Sequence, residues 1–150
     1  MEMYLQKIEH NDNTLFLLTR SLTDVKGYIT EHIDILSYIE VVYSGKILTI
    51  SFLYTYPKFQ NKGYASILLT VAAKLGKEKG IFFIEVDDMS RRYRRMKSNF
   101  YVNRGFRYVS SQNGPEMTAH ISGVNYHDIV TDDDINDLLT KGHTELQLSP

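Results

Sequence analysis

Apolar and polar positions divide the chain into short β-type runs interleaved with helical ones. "MYLQKIE" and "TLFLLT" have strand length, and His10 to Asn13 supplies turn chemistry between them. Apolar residues at 22, 25, 29, 33 and 36 suit one amphipathic helix, Leu22 to Ser37, which Gly27 weakens. Two β-rich runs then flank Ser44-Gly45, a hairpin signal. The second run, Ile47 to Tyr56, is apolar at nearly every position, which predicts a central strand covered on both sides. Residues 64–79, "YASILLTVAAKLGKEK", place Leu68, Val71, Ala72 and Leu75 on one helix face, and Gly80 ends it. "IFFIEVDD" reads as the next strand, apolar up to Val86 except at Glu85. Ser90 can cap a further helix, "RRYRRMKSNFYVNR", with Tyr93, Met96, Phe100 and Tyr101 as its buried stripe and Gly105 as its end. "FRYVSS" and "EMTAHIS" form a last hairpin. The order ββ-α-ββ-α-β-α-ββ predicts an α/β fold, a mixed central β-sheet with helices on both faces.

Composition changes this picture little. One hundred and fifty residues, 43% hydrophobic and 23% charged, make one ordinary folded domain with one core. From Gly123 the balance turns acidic. Thr131 is a natural N-cap for a short helix with acids in its first turn. The expected organisation is a domain over 1–123 and an acidic C-terminal extension over 124–150, packed on or trailing it. A net charge of -1 gives no global field toward nucleic acid or membrane. The absence of cysteine excludes disulfides, cysteine-ligated zinc and a cysteine nucleophile. The first residues do not resemble a signal peptide, and no apolar run approaches the roughly 20 residues that span a bilayer. The expectation is a soluble, cytoplasmic protein without a membrane partner. The five histidines lack metal-ligand spacing, so no metal is expected.

The junction "TYPKFQNKGYAS", Thr55 to Ser66, carries the first chemical signal. A helix start presents unpaired N–H groups and about half a positive charge. Gly63 removes a side chain from the approach, Ala65 and Ser66 keep the first turn small, and Gln60 and Lys62 offer donors. Such a junction can hold an anion. The alternative is a plain turn with Lys62 solvated. The spacing is neither a Walker A loop nor a G-x-G-x-x-G fingerprint.

"PKFQNKGYA" resembles the Q/R-x-x-G-x-G/A signature of the GNAT acetyltransferase superfamily, with Gln60, Gly63 and Ala65 at its fixed positions. "FYVNRGFRYV" is similar to that family's Y-x-x-x-G-F segment through Tyr101, Gly105 and Phe106, and "IEV" at Ile84 to Val86 resembles its L-E-V strand. The three occur in the family's order and extend the resemblance over residues 39–121.

The resemblance implies an acetyl-CoA-dependent N-acetyltransferase that passes an acetyl group to a primary amine by direct attack in a ternary complex. The acceptor would be a small amine or a peptide or protein amine, and a homodimer is compatible with the family. The family's fold splays two neighbouring parallel strands, here Ile47 to Tyr56 and Ile81 to Asp87, around the pantetheine. Backbone groups of Leu53, Tyr54 and Thr55 would pair with pantetheine and place one N–H on the thioester oxygen, a donor worth about 10²–10³ in rate. Backbone N–H groups from Asn61 through Lys62, Gly63, Tyr64 and Ala65 to Ser66 would hold the pyrophosphate.

Tyr101 matches the tyrosine that many members use as the acid for the departing thiolate; the alternative is a core tyrosine. Freeing the lone pair of a lysine-like amine costs about 4–5 kcal/mol at pH 7, so a base or water chain is needed. Glu85 is the candidate base. It stands among apolar residues, where a charged carboxylate is costly, and it matches the glutamate used in the ribosomal-protein N-terminal acetyltransferase subgroup. The alternative is a structural carboxylate. Where relatives often carry an asparagine, seven residues before the tyrosine, this chain has Arg94. Arg91, Arg92, Arg94 and Arg95 could meet the CoA 3′-phosphate, an acidic acceptor or nucleic acid, or form a solvated face. His32, in the predicted helix flanking the acceptor pocket, is a candidate acceptor contact. A catalytically inactive binding or regulatory module of the same fold is the competing reading.

Overall fold

The computed structural model describes residues 3–22, 34–87, 99–109 and 114–147. Among the described residues eight strands form one sheet: β1 (Met3–His10), β2 (Asn13–Thr19), β3 (Ile35–Ser44), β4 (Ile47–Thr55), β5 (Phe83–Asp87), β6 (Arg107–Tyr108), β7 (Glu116–His120) and β8 (His143–Leu146). Their order is β6-β7-β5-β4-β3-β2-β1-β8. Among the described residues β4 and β5 pair in parallel and every other neighbouring pair is antiparallel. The crossover between β4 and β5 is the helix α1 (Tyr64–Glu78), as a parallel connection requires.

Helix α1 lies on one face of the sheet. Leu68, Val71, Ala72 and Leu75 are buried there against Phe16 and Leu18 of β2, Ile39 and Val41 of β3, and Leu48 and Ile50 of β4. A second helix, α2 (Asp132–Lys141), adds Ile135 and Leu138 to the same core. Thr131 caps it in a capping box: its hydroxyl accepts the Asp134 N–H at 3.1 Å, and the Asp134 carboxylate accepts the Thr131 N–H at 3.0 Å. From α2 the chain turns into β8, which extends the sheet beside β1 with Met3 opposite Leu146.

Several expectations are corrected. Ile35, Leu36 and Ser37 belong to β3, not to a helix ending at Ser37; the rest of that predicted helix, with Gly27 and His32, lies outside the described residues. Strand β4 is not covered on both sides: Thr49, Ser51, Phe52 and Tyr54 are exposed, while Leu48 and Ile50 are buried. Strand β5 alternates as well, burying Ile84 and Val86 and exposing Phe83, Glu85 and Asp87. Residues 99–104 form a turn and a short 3-10 helix, Val102–Arg104, in place of the end of an α-helix. The arginines at 91, 92, 94 and 95, with Ser90, Tyr93 and Met96, lie outside the described residues. Gly105 has φ of 102°, and a Cβ there would stand 2.2 Å from the Gly123 carbonyl oxygen, so only glycine fits that crossing.

Candidate functional site

The parallel pairing of β4 with β5 stops early. It runs from Ile47 opposite Phe83 to Ile50 opposite Val86. On its other side β4 pairs with β3 along its whole length, but the register steps there: Val41 faces Ile50 and Glu40 faces Phe52. Ser51 is therefore an extra residue, a β-bulge, and a bulge bends its strand and adds twist. Beyond it β4 diverges from β5, and a cleft of about 450 Å³ opens between them. Ser51, Phe52, Leu53 and Thr55 form one wall. Val86, Asp87 and Tyr101 form the other, and Ala65 of α1 closes one end.

That end is the start of α1. Its N-cap is Gly63, with φ of 85° and no side-chain capping bond, and no acid sits in the first turn. The first N–H groups of the helix are therefore free of side-chain caps, which suits an anion such as a pyrophosphate. Asn61 is also left-handed, with φ of 63°, and turns the chain into the helix. Gln60, Asn61 and Lys62 are exposed. Gln60 spends one amide hydrogen on the Thr55 carbonyl, at 3.1 Å, and so fixes the end of β4 against the loop. Tyr64 is buried in the core, and the Ser66 carbonyl accepts the Thr70 hydroxyl at 2.8 Å.

His127 reaches the same corner from the segment before α2. Its backbone N–H donates to the Thr70 hydroxyl at 2.8 Å, and its Nδ1 accepts the Ile129 N–H at 3.3 Å. That leaves Nε2 to carry the ring hydrogen. Nε2 stands 3.4 Å from where a Gly63 Cβ would be. A second cleft of about 530 Å³ lies beside it, lined by Ser66, Asn103, Arg104, Asn125 and His127 among others. Arg104 donates to the Phe100 carbonyl at 2.9 Å and lies over the Phe100 ring; burial holds its guanidinium below the ordinary arginine range.

Of the residues singled out in the sequence, Leu53, Thr55, Ala65 and Tyr101 line the first cleft together. The Tyr101 ring is half-buried, edge-on to Phe100 and Phe106 at 5.1 and 5.3 Å, in the segment between β5 and β6. Tyr54 turns its ring to the face opposite α1, where it stacks on Tyr38. Glu85 is exposed on that same face, opposite Thr49 and Thr118, and is not part of the cleft wall. Among the described residues Glu85 is exposed, where the sequence set it among apolar neighbours. Among the described residues the carboxylate on the wall is Asp87, two residues on. Ser51, Phe52, Asp87 and His127 escaped the sequence reading. Only Asp87 left a signal there, as an acid at the end of a parallel strand.

The family model "Acetyltransferase (GNAT) family" matches residues 2–106. No curated protein sequence matches significantly. Among solved structures, the chain is similar to the PaiA N-acetyltransferase from Thermoplasma acidophilum in complex with coenzyme A, at TM-score 0.52 and 19% identity over 73% of this chain and 61% of that one. Nourseothricin acetyltransferase gives TM-score 0.52 and 16% identity over 73% and 66%. The ribosomal-protein-S18-alanine N-acetyltransferase from Escherichia coli gives 0.51 and 14% over 82% and 77%. The chain thus spans about three fifths to three quarters of these proteins' lengths. It belongs to the GNAT acetyltransferase family.

Proposed function

We propose that this member of the family transfers an acetyl group from acetyl-CoA to a primary amine, by direct attack of the amine within a ternary complex. The observation that carries the reading is the divergence of β4 from β5 after Ile50 and Val86, with an uncapped helix start at one end of the resulting cleft and Tyr101 on its wall. Acetyl-CoA supplies the acetyl group as an activated thioester. The N–H groups from Gly63 to Ser66 hold its pyrophosphate, with Lys62 and the His127 Nε2–H as adjoining donors. Backbone groups of Leu53, Tyr54 and Thr55, on the stretch of β4 without a β5 partner, pair with pantetheine and leave one N–H for the carbonyl oxygen, where charge develops.

Two side chains move protons. The incoming amine reaches its attacking state only after losing a proton, and Asp87, on the cleft wall, is the nearer carboxylate; Glu85 is the second candidate. The Tyr101 hydroxyl donates to the thiolate as it departs. An inactive module that keeps the coenzyme would use the same uncapped helix start, but it gives no role to Tyr101 on the cleft wall.

Calorimetric titration with acetyl-CoA and with CoA tests the donor site, and thiol release with a panel of amines tests the transfer. Micromolar binding of both with amine-dependent thiol release is expected. No binding at millimolar CoA removes the donor assignment; binding without release to any amine leaves a coenzyme-binding module.

A further inference from the structure

Between β7 and α2 the chain crosses α1 as a strap, residues 124–131, which follow the stretch matched by the family model. Ser66, Thr70 and Lys74 repeat every four residues, on the side of α1 opposite Leu68, Val71, Ala72 and Leu75. A helix resting on a sheet leaves that side to solvent, yet Thr70 is 1% exposed. Its cover is the strap. The His127 N–H donates to the Thr70 hydroxyl at 2.8 Å, and the Lys74 Nζ donates to the Val130 carbonyl at 2.7 Å. On the other flank the Asn125 N–H donates to the Arg104 carbonyl at 3.0 Å. Val124 and Val130 are buried in the core and hold the two ends. Thr70 gives its own hydrogen to the Ser66 carbonyl at 2.8 Å, so its hydroxyl keeps a lone pair for the strap.

The bond to Thr70 fixes the His127 backbone where its side chain meets the start of α1. The Ile129 N–H on Nδ1 then turns the ring, and its edge lies over Gly63: Nε2 and Cδ2 are 3.4 and 3.7 Å from where a Gly63 Cβ would stand. A donor hydrogen is thereby added beside helix N–H groups that have no side-chain cap. Asp128, the acid next to it, is exposed, where water weakens its repulsion of an anion. Resting on the reading of the α1 start as the pyrophosphate site of acetyl-CoA, we propose that Thr70 is a positioning residue for the coenzyme. Its hydroxyl holds the strap so that the His127 Nε2–H reaches the pyrophosphate, and coenzyme and strap stabilise one another. The plain alternative, a buried threonine that bonds back within its own helix, accounts for the bond to Ser66 and not for the one from His127.

The test is calorimetric titration of CoA into the wild type, Thr70→Val, Thr70→Ser, His127→Ala and the double variant Thr70→Val with His127→Ala. Thermal unfolding checks that each folds. Valine keeps the volume of Thr70 and removes the hydroxyl; serine keeps the hydroxyl and removes the methyl. His127→Ala should weaken CoA binding about tenfold and Thr70→Val about threefold or more, with the double variant no weaker than His127→Ala alone. Thr70→Ser should stay within about twofold of the wild type, whereas a packing role would make it the worse of the two. Wild-type affinity in Thr70→Val, losses that add in the double variant, or a Thr70→Ser as weak as Thr70→Val overturns the proposal. Should Thr70→Val not fold, hydrogen exchange of the wild type decides: saturating CoA should slow exchange of the His127 amide about threefold or more, and unchanged protection overturns the proposal. A wild type that does not bind millimolar CoA removes the donor reading itself, an outcome distinct from variants that bind as the wild type does.

Discussion

The two halves of β4 share one strand and have opposite fates. From Ile47 to Ile50 the strand is paired on both edges, and Leu48 and Ile50 are buried under α1. From Ser51 to Thr55 it keeps β3 and loses β5, and its side chains line a cleft on one edge and an aromatic, acidic face on the other side. The first half is ordinary core. The second exposes a strand edge inside the molecule, which normal folds avoid because unpaired backbone groups are costly. Such an edge persists where a ligand completes it. The difference between the halves is set by one residue, Ser51, because a bulge is the local device that bends a strand away from its neighbour.

Removing that device is the harshest way to break the contrast. Deleting Ser51 restores a regular register in which Ile50 and Phe52 keep their faces opposite Val41 and Glu40. The sheet should remain folded, β4 should run straighter against β5, and the cleft should close. No CoA binding at millimolar ligand is expected by calorimetry, with a cooperative thermal transition retained. Wild-type affinity in the deletion variant would mean that the divergence does not depend on the bulge.

A smaller effect separates the cleft from its supports. Tyr101→Phe keeps the ring packed on Phe100 and Phe106 and removes only the hydroxyl. The expected result is a fall in kcat of about 10²–10⁴-fold, with acetyl-CoA affinity within about twofold. Steady-state kinetics and calorimetry on the same variant check it. An unchanged kcat returns Tyr101 to the core it touches.

Much of this site could be read from the chain before its shape was known, and the missing parts share a cause. Helix α1 and its start at Gly63 follow from local periodicity and a glycine that adopts φ of 85°. The Thr131 cap is likewise local. The bulge at Ser51 is not, since an extra residue is defined only by the partner strand it fails to match. Phe52 and Tyr54 look apolar in a list of residues, so β4 read as doubly covered although they face outward. Ile35 to Ser37 fit a helical spacing as well as a strand, and pairing with β2 and β4 decided the matter. Strand β8 is four residues long, and its partner Met3 lies at the other end of the chain.

The finest distinction lies within β5. Glu85 and Asp87 are two residues apart on the same exposed face, with the same charge. Their neighbours differ: Glu85 sits in the paired half, opposite Thr49, while Asp87 stands past the last pair with β4, on the cleft wall. If the divergence creates the reactive site, the proton acceptor belongs to the diverged half. Asp87→Asn should then lower kcat by roughly tenfold or more, an effect that shrinks as pH rises and more of the amine is already neutral. Glu85→Gln should stay within about twofold at every pH, because an exposed surface substitution away from the reacting atoms has little to change. Rate profiles of the two variants between pH 6 and 9 decide between them. The reverse ranking would move the base back into the paired half, and the cleft would then be a binding groove whose chemistry is completed from the open face of the sheet.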